Sequence, residues 1–265
     1  MENKALPMFP ALDSAVRPTR HAKGLQVALA RSPDDVEAAQ RLRYRVFAEE
    51  MGARTSRRRP GVDEDMFDPW CEHLIVRDGP SDDVVGTYRV LTPEKARRLG
   101  TYYAETEFDL TRLQLLRDDV CEVGRACIHP DYRNGAVIAR LWQGIALLML
   151  ERSYRFLIGC ASMGMADGGV AARQVADHVM PSYLAPIEYR VFPRSPLAPA
   201  DPETAPPKHD AEALVPPLLR AYLRLGAWVG GDPAWDPDFN TADFFVFLPL
   251  SRVTTRYARH FLKAA

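Results

Sequence analysis

The chain has little that would send it to nucleic acid, a metal ion or a membrane interior. Its 34 Lys and Arg face 35 Asp and Glu, for a net charge of −1, and a surface that tracks a phosphate backbone needs a clear basic excess. Any anionic partner must be met by local charge. Only four cysteines are present, Cys71, Cys121, Cys127 and Cys160. None has a close partner at metal-ligand spacing, and Cys121 and Cys127 fall within one expected strand. Reduced thiols in a cytoplasmic protein follow, rather than disulfides or a metal site. Long apolar runs are missing as well. The longest, near Ile145 to Leu150, stops at Glu151, far short of the roughly 20 residues that cross a bilayer. The opening MENKALPMFPALDSAVRPTRHAKG has prolines and scattered charges in place of a signal-peptide core. Membrane contact, if any, is expected to be peripheral, at the inner face.

What is present suffices for a core. With 265 residues, 47% of them hydrophobic, residues 25–265 are read as one domain behind a flexible segment, 1–24. A strand from Leu25 to Ala30 precedes Ser32, Pro33 and the acids Asp34, Asp35 and Glu37, a helix start with N-cap, N1 proline and first-turn negative charge. This helix should run to about Met51, stop at Gly52 and bury Val36, Ala39, Leu42, Val46 and Phe47. A charged loop follows, with Arg57, Arg58 and Arg59 and then Asp63, Glu64, Asp65 and Asp68. Strands at His73–Arg77 and Val84–Leu91, separated by GPSDD, read as a hairpin. Short helices and turns fill 93–118.

Val120 to Ile128 reads as a strand, HPDYRNG as a break, and Ala136 onward as a long helix with Val137, Ile138, Leu141, Trp142, Ile145, Leu148 and Met149 at helical spacing. Phe156 to Met163 is the next strand. Strand, helix, strand implies a parallel pair joined by a right-handed crossover, with a helix N-terminus between the strands that suits an anion. Ten of the 22 prolines lie between Pro181 and Pro217, so that stretch is read as a surface excursion without regular structure. A helix, Pro217–Leu225, a glycine turn and a strand, Asp243–Leu250, close the domain.

This order, with Arg43 and Phe47 in LRYRVF, the acidic loop DEDMFD, Arg89 at the end of GTYR, and Glu122 and Arg125 in CEVGR, resembles the GCN5-related N-acyltransferase (GNAT) fold. Within it the chain is similar to the acyl-homoserine lactone synthases and N-acyl amino acid synthases. LIGCASM and PPLLRAYLRLGAWVGGDPAWDPDFNTADFFVFLPL look like the L-ornithine N-acyltransferases of ornithine-lipid synthesis, over about residues 25 to 262. The resemblance implies an α+β fold with a mixed central sheet and splayed parallel strands. It implies transfer of a 3-hydroxyacyl group from acyl carrier protein to the α-amine of L-ornithine, giving a lyso-ornithine lipid. The donor would be carried on 4′-phosphopantetheine, with no other cofactor. Acylation of lysine, glutamine or an adenosyl-methionine stands as a second reading, and a lipid-binding or membrane-active protein without catalysis as a third. Oligomeric state is open.

Aminolysis of a thioester needs an unprotonated amine, a donor for the oxyanion and a path for the released proton. Glu122, among Val120 and Val123, is the candidate acceptor of that proton, with Arg125 orienting Glu122 or a substrate carboxylate. The plain alternative is a structural ion pair between the two. Strict alternation places them on opposite faces; a β-bulge near Gly124, which the resemblance implies, would change that and free a backbone N–H. Arg133, Gly135 and Ala136 are the candidate phosphate site at the helix N-terminus, or simply a turn into the helix. Ala136 and Ile138 stand where the wider family has small glycines, which disfavours CoA and suits a carrier's single phosphate. The resemblance assigns Arg43, Phe47, Asp65, Asp68 and Arg89 to substrate binding; the acids would receive ammonium groups, or Arg43 and Arg89 would pair with them. Phe239 and Asp243 are placed in the amine pocket on the same basis. Arg57–Arg59, Arg97, Arg98 and Arg140 are candidate docking charges for an acidic carrier, or an ordinary wet surface.

Overall fold

The computed structural model describes residues 24–54, 59–198 and 211–253. The flexible segment expected at the N-terminus, apart from Gly24, and Arg57 and Arg58 therefore lie outside the described residues. In chain order the elements are β1 (Leu25–Leu29), α1 (Pro33–Tyr44), β2 (Glu72–Asp78), β3 (Val84–Leu91), α2 (Pro93–Leu99), β4 (Phe108–Asp109), β5 (Val120–Ile128), α3 (Ala136–Glu151), β6 (Phe156–Gly164), α4 (Val170–Tyr183), β7 (Phe192–Pro193), α5 (Ala211–Leu214), α6 (Pro217–Leu225), β8 (Trp228–Val229), β9 (Ala234–Asp236) and β10 (Thr241–Pro249). The main sheet runs β1-β2-β3-β5-β6-β10-β8, with β9 on β10 and β4 paired with β7 in a separate ribbon. Among its described strands only β5 and β6 pair in parallel.

Local chemistry accounts for the opening helix. Ser32 caps it, its Oγ accepting from the Asp35 N–H at 3.1 Å while Asp35 accepts from the Ser32 N–H at 3.1 Å, the reciprocal capping box. Past Tyr44 the helix continues to Glu50 as a π turn, so the expected extent to about Met51 is met with a wider final winding. π turns insert one residue and often mark functional sites. Gly52, at φ 76°, ends it.

Period-two alternation divides the sheet into two faces. Val27, Leu74, Val90, Val123 and Phe244 pack with Leu141 of α3 and Leu219 of α6. Leu91, Val120, Ile158 and Phe247 pack on the other face with Phe67, Tyr102 and Phe108 from the connecting segment. At Gly86 α3 packs close on the sheet: a Cβ there would collide with the Val137 side chain.

Two features depart from the sequence reading. Helix α4 has no counterpart in it, although Ala172, Val175, Ala176 and Val179 are buried at helical spacing, and Pro181 sits within its last turn. The proline-rich stretch is also not a free excursion over its described part. Residues Ile187–Tyr189 form a 3₁₀ turn, β7 pairs with β4, and Pro196 bridges Ala234. Proline is compatible with such places because sheet edges and helix starts leave its missing N–H without a required partner. Residues 199–210 lie outside the described set.

Candidate active site

The parallel pair is short. β5 and β6 register only over Val120–Glu122 against Phe156–Ile158. The next residue of β6 is Gly159, where a Cβ would strike the Val123 carbonyl oxygen. Beyond this close approach the strands part. On the far side of β5 the register with β3 shifts, Arg89 facing Gly124 while Thr87 faces Cys127, so β5 holds one extra residue. Arg125 takes φ +52°. The expected bulge is present, and the left-handed residue in it is Arg125 rather than the glycine beside it. A cavity of about 590 Å³ opens in the gap, reaching both faces of the sheet. Val46, Phe47, Ile138 and Leu218 make its apolar end, and Glu122, Arg125, Asp236 and Asp243 line its polar one.

Glu122 is 4% exposed. Its two oxygens accept from the backbone N–H groups of Tyr103 and Ala104, each at 2.7 Å, at the first turn of the 3₁₀ helix Tyr103–Thr106. Burial pushes its carboxyl up, while these N–H groups and the Arg89 charge pull it back, leaving it at about 7. A carboxyl at this value can exchange a proton at neutral pH. The second lone pair of each oxygen remains as an acceptor.

Arg125 is not the partner of Glu122. Its Nη2 donates to Asp65 Oδ2 at 3.0 Å, its Nε lies 3.8 Å from Asp63, and its guanidinium stacks 4.4 Å from the Phe239 ring and 5.1 Å from that of Tyr103. The simple ion-pair reading is thereby corrected: the bulge turns Arg125 toward the acidic loop. That loop is itself neutralised. Arg43, fully buried, holds Asp63 at 2.7 Å and both oxygens of Asp68 at 2.7 and 2.9 Å. Arg89 holds Asp65 at 2.6 Å. Burial opposes ionisation of Asp65, but Arg89 and Arg125 keep its carboxyl well below the usual range. Three arginines therefore meet three aspartates, and none of Arg43, Asp65 and Asp68 lines the cavity. The expectation that Asp65 and Asp68 receive substrate ammonium groups gives way to a buried network that fixes Arg89 and Arg125. Phe47 and Arg89 do line the cavity, Phe47 edge-on to Phe239 with ring centres 5.8 Å apart.

At the turn into α3, Arg133 and Gly135 also line the cavity. Arg133 is half-exposed and bidentate with Glu50 at 2.6 and 2.7 Å. The Ala136 N–H donates to Asn134 Oδ1 at 3.0 Å, so the group expected to meet a phosphate is already capped from within the turn. Arg140 is buried and donates to Gln143 at 2.9 Å, which removes it from the docking candidates. Arg59 pairs with Glu37, Arg97 pairs with Asp118, and Arg98 is exposed.

Tyr103, Asp236 and, behind Asp243, Glu107 were not singled out in the sequence. Their signal is weak, because each lies in or beside a short element, the 3₁₀ turn Tyr103–Thr106 or β9, and reaches the site only through the fold. Phe239 and Asp243, placed in the pocket from the resemblance, line it.

The profile of the acetyltransferase (GNAT) domain matches residues 42–143. The chain is 36% identical over 251 residues to an L-ornithine N(alpha)-acyltransferase of Brucella abortus, covering 89% of this chain and 88% of that one. It is 33% identical over 253 residues to the enzyme of the same name from Rhodobacter capsulatus, covering 90% and 95%. Among solved structures, a CoA-dependent acyl-homoserine lactone synthase, BjaI, with SAM and isopentyl-CoA, superposes with a TM-score of 0.51 at 17% identity over 87% of this chain and 82% of that one, which shows the fold. A wedge between splayed parallel strands, in a GNAT domain with relatives of this identity along nearly its whole length, assigns the chain to the L-ornithine N(alpha)-acyltransferase family.

Proposed function

We propose that the protein acylates the α-amine of L-ornithine with a 3-hydroxyacyl group delivered as a thioester on acyl carrier protein. The observation that carries the reading is Glu122, a buried carboxyl poised near neutral pH in the gap between β5 and β6. The amine nitrogen attacks the thioester carbon, the carbonyl π electrons move onto oxygen, and the tetrahedral intermediate collapses with loss of the C–S bond. Glu122 takes the nitrogen's proton, directly or through one water, and that proton equivalent ends on the departing thiolate. A backbone N–H released at the Arg125 bulge serves the oxyanion. The fatty tail lies along the apolar end, between α1, α3 and α6. Carrier protein suits the donor side because the α3 N-terminus offers a small turn with one cavity-lining arginine, Arg133, and its first N–H is already capped.

The test is to incubate the full chain with 3-hydroxyacyl carrier protein and a panel of amino acids and to identify the amide by mass. Nα-(3-hydroxyacyl)ornithine is the expected product. Acylation of a different amine overturns the acceptor, turnover only with acyl-CoA overturns the donor, and no amide with any amine favours a lipid-binding role.

A further inference from the structure

Besides the balanced arginine–aspartate network, the site holds acids without a counter-charge. Glu107 is 8% exposed, and both of its carboxyl oxygens are buried with no hydrogen-bond partner. Asp243, 3% exposed, accepts from the Thr241 hydroxyl at 2.9 Å. One oxygen of each and the Cys160 sulfur lie within 4.8 Å of one another. The chief groups acting on the two carboxyls are one another, Asp236, Tyr103, Ser162 and Thr241, none of them cationic. Asp243, Asp236 and Cys160 line the cavity, so the orphaned Glu107 stands directly behind its wall.

Buried carboxylates without a counter-charge are costly unless a cation completes them. We propose that Glu107 and Asp243 form the receptor for the side-chain ammonium of a diamino acid acceptor, and so select which amine is acylated. The inference rests on the acyltransferase reading above. Spacing supports it. Glu122 is in register with Ile158, and Cys160 lies two residues farther along the same face of β6, about 6.6 Å at strand rise. The two nitrogens of ornithine are separated by five bonds, about 6 Å when extended. An α-amine beside Glu122 thus leaves the terminal ammonium at the acid pair. Burial raises both carboxyls, the Asp243 charge raises that of Glu107 further and Asp236 raises each, so the pair keeps a proton that an arriving ammonium displaces.

The experiment compares N-acylation of ornithine and of norvaline, which lacks only the side-chain amine, by the wild type, Asp243→Asn and Glu107→Gln at saturating 3-hydroxyacyl carrier protein. The expected result is a ratio of kcat/KM, ornithine over norvaline, that falls about 10- to 100-fold in either variant, the range for lost hydrogen bonds to a charged group. An unchanged ratio with both substrates slowed alike overturns the inference and leaves the acyltransferase reading intact. Stoichiometric zinc in the purified wild type, lost in Asp243→Asn, also overturns it, in favour of a metal site. A wild type that acylates neither amino acid takes down the acyltransferase reading and this inference with it. Thermal melts check folding. Where a variant does not fold, calorimetry of the wild type decides: ornithine should release about one proton more than norvaline on binding, and equal release overturns the proposal.

Discussion

Glu122 and Arg125, three residues apart on one strand, line the same cavity without pairing. Arg125 reaches Asp65 at 3.0 Å, while Glu122 takes the N–H groups of Tyr103 and Ala104 at 2.7 Å each. The acid is thus left with a proton to exchange, and the guanidinium is held in place by carboxylates of another loop.

If Glu122 is the proton acceptor, kcat/KM should rise with pH through about 7 and then level, because only the ionised carboxylate accepts a proton. Glu122→Gln should lower kcat by about 10²- to 10⁴-fold. Stability gives the opposite slope. The folded state keeps this proton to about 7 whereas the unfolded chain gives it up near 4.5. Its contribution is therefore fully present below 4.5 and is lost as pH rises through about 7. Urea melts across that window should show a smaller decline in Glu122→Gln; a variant with wild-type turnover rejects the assignment.

Asp68→Ala would leave Arg43, which is fully buried, without its bidentate partner. Removing one partner of a buried ion pair costs about 3–5 kcal/mol. Chemical denaturation should show a loss of this order, and a loss below about 1 kcal/mol would mean that water reaches the network.

Gly159→Ala places a methyl group against the Val123 carbonyl at the point where β5 and β6 separate. Overpacking of this kind costs about 1–3 kcal/mol. A lower melting temperature together with reduced acyl transfer is expected, and an unshifted melt would show that the backbone yields there freely.

Arg133→Ala removes a half-exposed ion pair with Glu50, worth about 0–1 kcal/mol at a surface. Stability should hardly change. The KM for acyl carrier protein should rise, with kcat retained, and the dependence of KM on salt should weaken. Equal KM values at low and high salt for both proteins would remove Arg133 from the donor side.

The sequence carried the frame of the fold. Ser32, Pro33 and Asp35 specify the start of α1, and the helical spacing from Val137 to Met149 specifies α3. The bounds Val120–Ile128 and Pro217–Leu225 recur in the structure. These signals are local, since caps, periods and turns act over a few residues. The buried period of α4 is equally present in the sequence from Ala172 to Val179, between two glycines and the proline-rich stretch.

The charges could not be read in the same way. Whether Asp68 meets solvent, a substrate or Arg43 depends on where a loop folds over a helix 25 residues away in sequence. The same applies to Glu107, whose neighbour Asp243 lies on β10, a strand added to the sheet near the end of the chain. Residue type and spacing set α1, α3, α6 and the long strands, and with the resemblance they made Glu122 a candidate. Tertiary structure decided which carboxyls are neutralised and which are left without a cation, because burial and counter-charge act through space between segments that no local pattern brings together.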